Sequence, residues 1–409
     1  MEIVVQKFGG SSLSTVDKIK QVAGQIRERK RDNLGIVVIV SAMGNTTDEL
    51  LELARAVSSD PDPRELDMLL NTGEQISIAL LSLALQELDL EAVSFTAAQL
   101  NLTTTSSHQK ARIIDIDTAR LHQELAAGKI PVVAGYQGVA ENNEYTTLGR
   151  GGSDTSAVAL AAKLEARCEI YTDVDGIYTC DPGILTQARK LERISYEEML
   201  EMASLGAEVI HPRAVELAQK YEVPLYVGRS CSSRRGTVIN GGIDYLEASI
   251  VTGLAVSDKD IEITLRNMPG TSAGLAAVFS SLAETEINVD MISQLRDKNG
   301  SMHLSFTIPG TDLEQARKII GRNREKWQIK DWWFRKDVSK ISVVGPGMRS
   351  QPGVAARVFR LLADREVDIL LVTTSEIKIS WLVPAGQKDK AAAVIARDFG
   401  LAERAEPGE

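Results

Sequence analysis

Two glycine-rich turns stand out as places where backbone amides could hold a phosphate. In the first, Gly9-Gly10-Ser11-Ser12 follows an apolar run, Ile3–Val5, and opens a helical pattern bearing Ile19, Val22, Ala23 and Ile26. Glycine lets the main chain approach an anion closely, and the first N–H groups of a helix, at its positive end, bind one. Lys7 stands just before this turn, placed to reach the same phosphate. In the second turn, Leu148-Gly149-Arg150-Gly151-Gly152-Ser153-Asp154 leads into an Ala-rich, helix-prone run, Thr155–Leu164. Each turn alone has a structural explanation: a tight turn for the first, a helix cap from Ser153 or Asp154 for the second. As a pair, one beside Lys7 and one beside Arg150, they suit opposite walls of a phosphoryl-transfer site. Such chemistry rests mainly on positioning and on positive charge around the moving group. Neither a GxxxxGK[ST] P-loop nor a GxGxxG after a strand is present.

The elements that must position these turns alternate as far as about Gly241. Apolar, β-branched runs at Ile3–Val5, Ile36–Val40, Ile130–Gly135, Cys168–Val174 and Val223–Gly228 read as buried parallel strands. Amphipathic helical spacing lies between them, as at Met199, Met202 and Ala203. That alternation predicts an α/β sandwich whose ligands sit at the carboxyl ends of the strands. The segment Ser232–Gly242 breaks the rhythm and is the expected domain boundary. Beyond it lies an internal repeat. The stretch from Phe279 to Asp290 aligns without a gap with that from Phe359 to Leu370. Each copy follows a Pro-Gly (Pro269-Gly270, Pro352-Gly353) and runs on to a strand, at Met302–Ile308 and Ile377–Val383. Two copies of such length imply paired small domains rather than a solenoid.

Bulk properties narrow the classes. With 409 residues, two or three domains are expected, and 44% hydrophobic with 25% charged residues is the balance of a soluble enzyme. A net charge of −10 argues against general affinity for nucleic acid or anionic membrane. The three cysteines, Cys168, Cys180 and Cys231, fit no zinc or disulfide framework, so a reducing cytoplasm is expected. The N-terminus does not read as a signal peptide. The most apolar stretch, Ile76–Leu88, reads as a buried helix too short to span a bilayer.

The motifs KFGGSS (Lys7–Ser12), SAMGNTTDEL (Ser41–Leu50), TGEQIS (Thr72–Ser77), TTLGRGGSDTSA (Thr146–Ala157) and YTDVDGIYTCDP (Tyr171–Pro182) occur in one order along the chain. In that order they resemble the aspartokinases of the amino-acid kinase superfamily, and the repeat resembles their paired ACT domains. The resemblance covers essentially the whole chain. It implies an αβα sandwich with a mainly parallel sheet over residues 1–241, followed by two βαββαβ, ferredoxin-like ACT domains. Residues 242–258 are then a linker and first ACT-region strand, 259–336 the first ACT domain and 337–409 the second, with 249–258 able to lend it a strand.

The same resemblance implies the roles. Lys7 neutralises charge on the transferring phosphoryl group of ATP, while Gly9, Gly10 and Ser11 line the phosphates and Ser41 lies near the nucleotide. Thr47, Glu74 and Arg150 match the family's aspartate-binding positions, with Gly151, Gly152 and Ser153 beside them. An arginine fork suits a carboxylate. Glu74 suits an ammonium, although a Glu in the first turn of a helix is also the ordinary dipole-favoured choice. Asp154 holds Lys7 or organises the charges. Thr172, Asp173, Tyr178 and Asp181 surround the adenosine and phosphates. The attacking carboxylate is already ionised at neutral pH, so ATP with Mg²⁺ and a cationic clamp suffice, with no dedicated metal site and no histidine as acid or base. His211, before Pro212, reads as structural.

Departures from the family pattern fall on both halves. Gly183 stands where relatives commonly have Arg, Asn267 where many have Asp, and Asp368 where many have Asn. The first Pro-Gly loop is longer than the second. An effector amino acid, lysine or threonine or both, is expected near Gly270, Gly274, Asn288 and Gln294, with Asp290, Thr373, Thr374 and Glu376 contributing. Association across ACT domains predicts at least a homodimer. Competing readings are a kinase of the same superfamily acting on acetylglutamate, glutamate, carbamate or a nucleoside monophosphate, and a non-catalytic amino-acid-sensing dimer.

Overall fold

Buried, β-branched runs build the central sheet of the first half of the chain, because a strand covered on both faces has no position for solvent-facing polar residues. The structure, a computed structural model, describes residues 1–30, 33–206, 209–241, 250–298, 300–351 and 353–403. These form two units. The first holds most of the described chain up to residue 241, and the second holds Tyr178–Arg189 and the described chain from residue 250.

In the first unit the strands are β1 (Glu2–Phe8), β2 (Leu34–Val40), β3 (Ala92–Phe95), β4 (Thr103–Thr104), β5 (Ile113–Asp115) and β6 (Ile130–Ala134). They continue with β7 (Gln137–Ala140), β8 (Tyr145–Thr147), β9 (Arg167–Thr172), β10 (Arg193–Ser195), β11 (Leu225–Arg229) and β12 (Thr237–Asn240). Eight form one sheet in the order β10-β12-β11-β9-β1-β2-β6-β3, parallel except where β11 meets β12. A second, small sheet runs β5-β4-β7-β8. The helices are α1 (Val16–Arg29), α2 (Thr46–Val57), α3 (Pro63–Gln86), α4 (Ala119–Ala126), α5 (Gly152–Lys163), α6 (Tyr196–Ser204) and α7 (Pro212–Lys220). Ile19, Val22, Ala23 and Ile26 of α1 and Ile78, Leu81 and Leu85 of α3 pack with Val4, Phe8, Ile36 and Val38 of the sheet into one core.

Two elements differ from expectation. The glycines after β1 open a short 3-10 turn, Gly10–Leu13, and α1 starts only at Val16, where the Thr15 side chain accepts the Lys18 N–H. The apolar helix is also longer than its apolar run. It begins at Pro63, capped by Asp62 taking the Arg64 and Glu65 N–H groups. At 24 residues it is long and apolar enough to cross a membrane by length and composition alone. Half of its most apolar window is buried inside the protein, and its buried face carries Asp67, Asn71 and Glu74. It is a core helix.

The second unit holds β13 (Gly253–Ser257), β14 (Asp260–Pro269), β15 (Asp290–Arg296), β16 (Ser301–Pro309), β17 (Asp331–Arg335), β18 (Val338–Val344), β19 (Leu371–Thr374) and β20 (Lys378–Pro384). Its helices are α8 (Ser272–Ala283), α9 (Leu313–Asn323), α10 (Gly347–Ser350), α11 (Val354–Ala363) and α12 (Lys388–Asp398). The first repeat is complete in itself, β14-α8-β15-β16-α9-β17, with sheet order β15-β16-β14-β17. The second repeat supplies three strands and takes its fourth, β13, from the chain before the first repeat, giving β13-β18-β20-β19. Pro352 and residues 242–249 of the expected linker lie outside the described residues.

Two stretches cross the boundary expected at residue 241, the short one at Leu205 and Gly206 and a longer one. Tyr178–Arg189 belongs to the second unit. There the Leu254 N–H donates to the Thr179 carbonyl (2.7 Å), the Thr179 hydroxyl donates to the Leu401 carbonyl (2.6 Å), and Ala188 bridges to Ala402. Cys180 and Ala188 are buried in one core with Trp381 and Ile395.

Candidate active site

The carboxyl ends of β1, β2 and β9 bring the first glycine turn, Ser41 and Thr172 to one edge of the large sheet. Lys7, the penultimate residue of β1, is only 9% exposed, and its ammonium meets Asp154 Oδ1 at 2.5 Å. The two glycine turns therefore converge on one ion pair, Lys7 beside the first and Asp154 after the second. The Gly9 N–H donates to the Tyr171 carbonyl (3.1 Å) and the Ser41 N–H to the Phe8 carbonyl (3.2 Å), so the strand ends are locked side by side. At Gly10 a Cβ would lie 2.7 Å from the Ala42 carbonyl oxygen, which explains glycine at that position. Ser12 shares a 2.5 Å hydrogen bond with Ser230, whose N–H donates to the Thr172 carbonyl. The Thr172 hydroxyl donates to Asp173 Oδ1 (3.0 Å), and Arg229 holds the Asp173 carbonyl. Ser11 is exposed. Tyr178 and exposed Asp181 lie in the second unit. Tyr178 packs there on the core around Cys180, and Asp181 Oδ1 accepts the Gly183 N–H (2.7 Å).

Neither Ser153 nor Asp154 caps α5. The cap position is Gly151, in the left-handed region at φ +67°, and both expected caps sit inside the first turn. Asp154 is thereby committed to Lys7 instead. A Cβ on Gly151 would stand 2.1 Å from the His211 ring. His211 caps α7 by accepting the Arg213 N–H at Nδ1, and burial holds its pKa below the usual imidazole value, so it packs as a neutral ring. Gly151→Ala is expected to destabilise the protein by about 1–3 kcal/mol through overpacking and left-handed strain, read as a lower thermal midpoint.

Glu74 lies in the interior of α3, far from its first turn, so the helix dipole does not account for it. It is 3% exposed. Its Oε1 accepts the Ala42 N–H at 3.0 Å, which ties α3 to the loop leading to Thr47 in the first turn of α2. Its Oε2 is buried without a partner, and burial raises its pKa to about 7. A cationic ligand group would satisfy that oxygen, since a buried carboxylate gains most from a directly paired charge. Arg150, by contrast, is exposed, at the end of a buried stretch, Thr146–Leu148. It lines a cavity of about 1020 Å³ together with Tyr136, Gly149 and His211. A buried carboxyl, an exposed guanidinium and the Lys7–Asp154 pair offer distinct handles for an ammonium, a carboxylate and a phosphoryl group.

A profile of the amino acid kinase family matches residues 2–229, and one of the ACT domain matches residues 261–323 and 341–399. An aspartokinase of Geobacillus stearothermophilus is 46% identical over 406 residues, covering 99% of each chain. The chain belongs to the aspartokinase family. Aspartokinase 2 of Bacillus subtilis (strain 168) is likewise 46% identical, over 98% of this chain and 99% of its own. The crystal structure of E. coli aspartokinase III in complex with aspartate and ADP shares the fold. Its TM-score is 0.83 at 24% identity, with 97% of this chain and 99% of that chain covered. Aspartate kinase from Synechocystis is 40% identical with a TM-score of 0.55, over all of this chain and 71% of that one. As a family member, the chain is an aspartate kinase: an ATP-using phosphotransferase with a carboxyl acceptor and ACT domains.

In the ACT domains of this aspartokinase-family chain, Asn267 occupies a bulge of β14 at φ +53°. Gly270 donates its N–H to the Gly300 carbonyl (2.9 Å), and the Gly274 N–H is taken by the Thr271 side chain that caps α8. Asn288, Gln294, Thr374 and Glu376 are exposed, and Thr373 and Thr374 lie on β19. Asp290 accepts from Lys340 (3.0 Å), which also pairs with Asp260 (3.2 Å). Asp368 exchanges hydrogen bonds with Gln387. Residues the motifs did not flag also build the site: Asp67, Asn71, Arg213 and Ser230. The signal for the first two was available, since Asp67 and Asn71 are polar residues at apolar-face spacing with Glu74 on α3.

Proposed function

We propose that the chain transfers the γ-phosphoryl group of ATP to the side-chain carboxylate of L-aspartate, giving 4-phospho-L-aspartate, and that lysine, threonine or both inhibit it at the ACT domains. The observation that carries this reading is the convergence of both glycine turns on Lys7–Asp154, next to a buried carboxyl and an exposed guanidinium. Glu74 pairs with the substrate ammonium, Arg150 grips a carboxylate bidentately, and Thr47 lies in the first turn of α2, just after the loop that Glu74 anchors. Lys7, lined up by Asp154, meets charge developing on the phosphoryl oxygens, while Gly9, Gly10 and Ser11 present the backbone to the phosphates. Gly152 and Ser153 open α5 with its positive end toward the same charge. Ser41, Thr172 and Asp173 serve the nucleotide.

Magnesium would ride on the phosphates of ATP and neutralise their charge. That fits a site in which the Asp154 carboxylate is already paired with Lys7. Aspartate kinase from E. coli has been crystallised with lysine and aspartate. An effector of that kind suits the exposed polar groups of Asn288, Gln294, Thr374 and Glu376, with Asn267, Gly270, Gly274, Asp290, Thr373 and Asp368 around them. The enzyme would open lysine, threonine and methionine biosynthesis in the cytoplasm, as a homodimer or larger assembly joined through ACT domains.

Trapping the acyl phosphate as its hydroxamate tests the reading. Product with L-aspartate that diminishes on adding lysine, threonine or both is expected. Product with another acidic acceptor only would move the chain elsewhere in the superfamily, and inhibition by neither amino acid would remove the effector assignment.

A further inference from the structure

The exposed Arg150 is carried by a segment that is gripped from two sides. On one side is Asp67 of α3, which is fully buried. Its carboxylate accepts the Thr147 hydroxyl (2.7 Å), the Gln109 N–H (3.1 and 3.2 Å) and the His108 ring at Nδ1 (2.7 Å). On the other side is Arg213 of α7, whose guanidinium donates to the Leu148 carbonyl (2.8 Å) and the Ala111 carbonyl (2.9 Å). Between them the Ala111 N–H donates to the Thr147 carbonyl (3.0 Å). Two loops far apart in sequence, 108–111 and 147–149, are thus laced together by one acid and one base that do not touch each other in the network. Asn71, one turn after Asp67, adds a donor to the Thr146 carbonyl (3.4 Å).

We propose that Asp67 and Arg213 are positioning residues for Arg150, setting affinity for the acidic substrate without touching it. The proposal rests on the reading of Arg150 as the carboxylate-binding fork. A bidentate contact tolerates little displacement, so loosening the segment weakens binding of the group that Arg150 holds and spares the nucleotide on the other wall. Asparagine at position 67 keeps the shape but offers one acceptor oxygen to three donors, and its NH₂ opposes the Gln109 N–H. Lysine at position 213 keeps the charge but loses the planar fork that spans two carbonyls.

The test is initial-rate kinetics on full-length Asp67→Asn, Arg213→Lys and Arg150→Lys, varying aspartate and ATP separately, with thermal melts to establish folding. KM for aspartate is expected to rise about tenfold or more in both clamp variants while KM for ATP changes by less than about twofold. A purely structural role would raise both in parallel, or neither, and would overturn the proposal. Should Asp67→Asn fail to fold, Arg213→Lys decides alone. If Arg150→Lys raises KM for aspartate and the clamp variants do not, only the clamp is overturned. If Arg150→Lys leaves that KM unchanged, the assignment of Arg150 itself falls, and the clamp proposal with it.

Discussion

Lys7→Ala is expected to lower kcat by about 10²–10³-fold, the usual consequence of deleting one preorganised group aimed at developing charge. The lysine is nearly buried and 2.5 Å from Asp154, so it has little freedom to be replaced by water or by a neighbouring chain. Removal also leaves the Asp154 carboxylate unpaired at the mouth of α5, adding a like charge where anionic phosphates must sit. KM for ATP should therefore rise as well, while Lys7→Arg, which keeps the charge, should retain more turnover than Lys7→Ala. Equal kcat for Lys7→Ala and wild type in single-turnover measurements would remove Lys7 from the transition state.

Glu74→Gln is expected to raise KM for aspartate by about 30- to 1000-fold, the cost of breaking one partner of a buried charge pair, about 2–4 kcal/mol. The pH dependence gives a sharper signature. Burial places the Glu74 pKa at about 7, above its ordinary 4.5, and the ionised form is the one that pairs with an ammonium. In the wild type, KM for aspartate should fall as pH rises through 7 and then level off, whereas the Gln variant should lose that step. Stability runs the opposite way in the ligand-free protein. A carboxyl whose folded pKa is raised favours the folded state below about 4.5 and loses that contribution as pH climbs toward 7. The loss amounts to about 3 kcal/mol. Glu74→Gln should accordingly melt higher than wild type at pH 8 and closer to it at pH 5. A melting difference independent of pH would show that the carboxyl is not the titrating group.

Local features of the site were legible in the sequence because local chemistry fixed them. Glycines beside a lysine at a strand end and beside an arginine before an Ala-rich helix mark a turn at each place without tertiary information, although not how the helix after it begins. The doubled ACT pattern was legible for a similar reason, since the stretches from Phe279 and from Phe359 align without a gap and each runs from a helix into two strands. Features that depend on remote partners were not. Asp154 satisfied the rules for a helix cap, and only the approach of β1 turns it into the partner of Lys7. Glu74 was placed near a helix start because the apolar run begins late, although Asp62-Pro63, a cap followed by proline, marks the true start. Asp67 and Arg213 carry no motif at all: their meaning lies in loops 41 to 102 positions away along the chain. That residues 249–258 could lend a strand to the second ACT sheet came from the family resemblance alone, and β13 does pair with β18, joining segments separated by an entire repeat.

The excursion of Tyr178–Arg189 has a bearing on how this protein can be divided. The polypeptide leaves the first unit after Ile177, leans its Cys180 and Ala188 on the core around Trp381, and returns by Lys190. A gene cut at residue 242 would therefore excise a catalytic fragment with a greasy segment stripped of its cover, the Thr179 hydroxyl without the Leu401 carbonyl and the Thr179 carbonyl without the Leu254 N–H. Modules joined end to end can be shuffled by a single crossover, whereas modules that interleave are inherited together. Recombination or protein engineering that exchanges the regulatory half for another would have to carry residues 178–189 along with it.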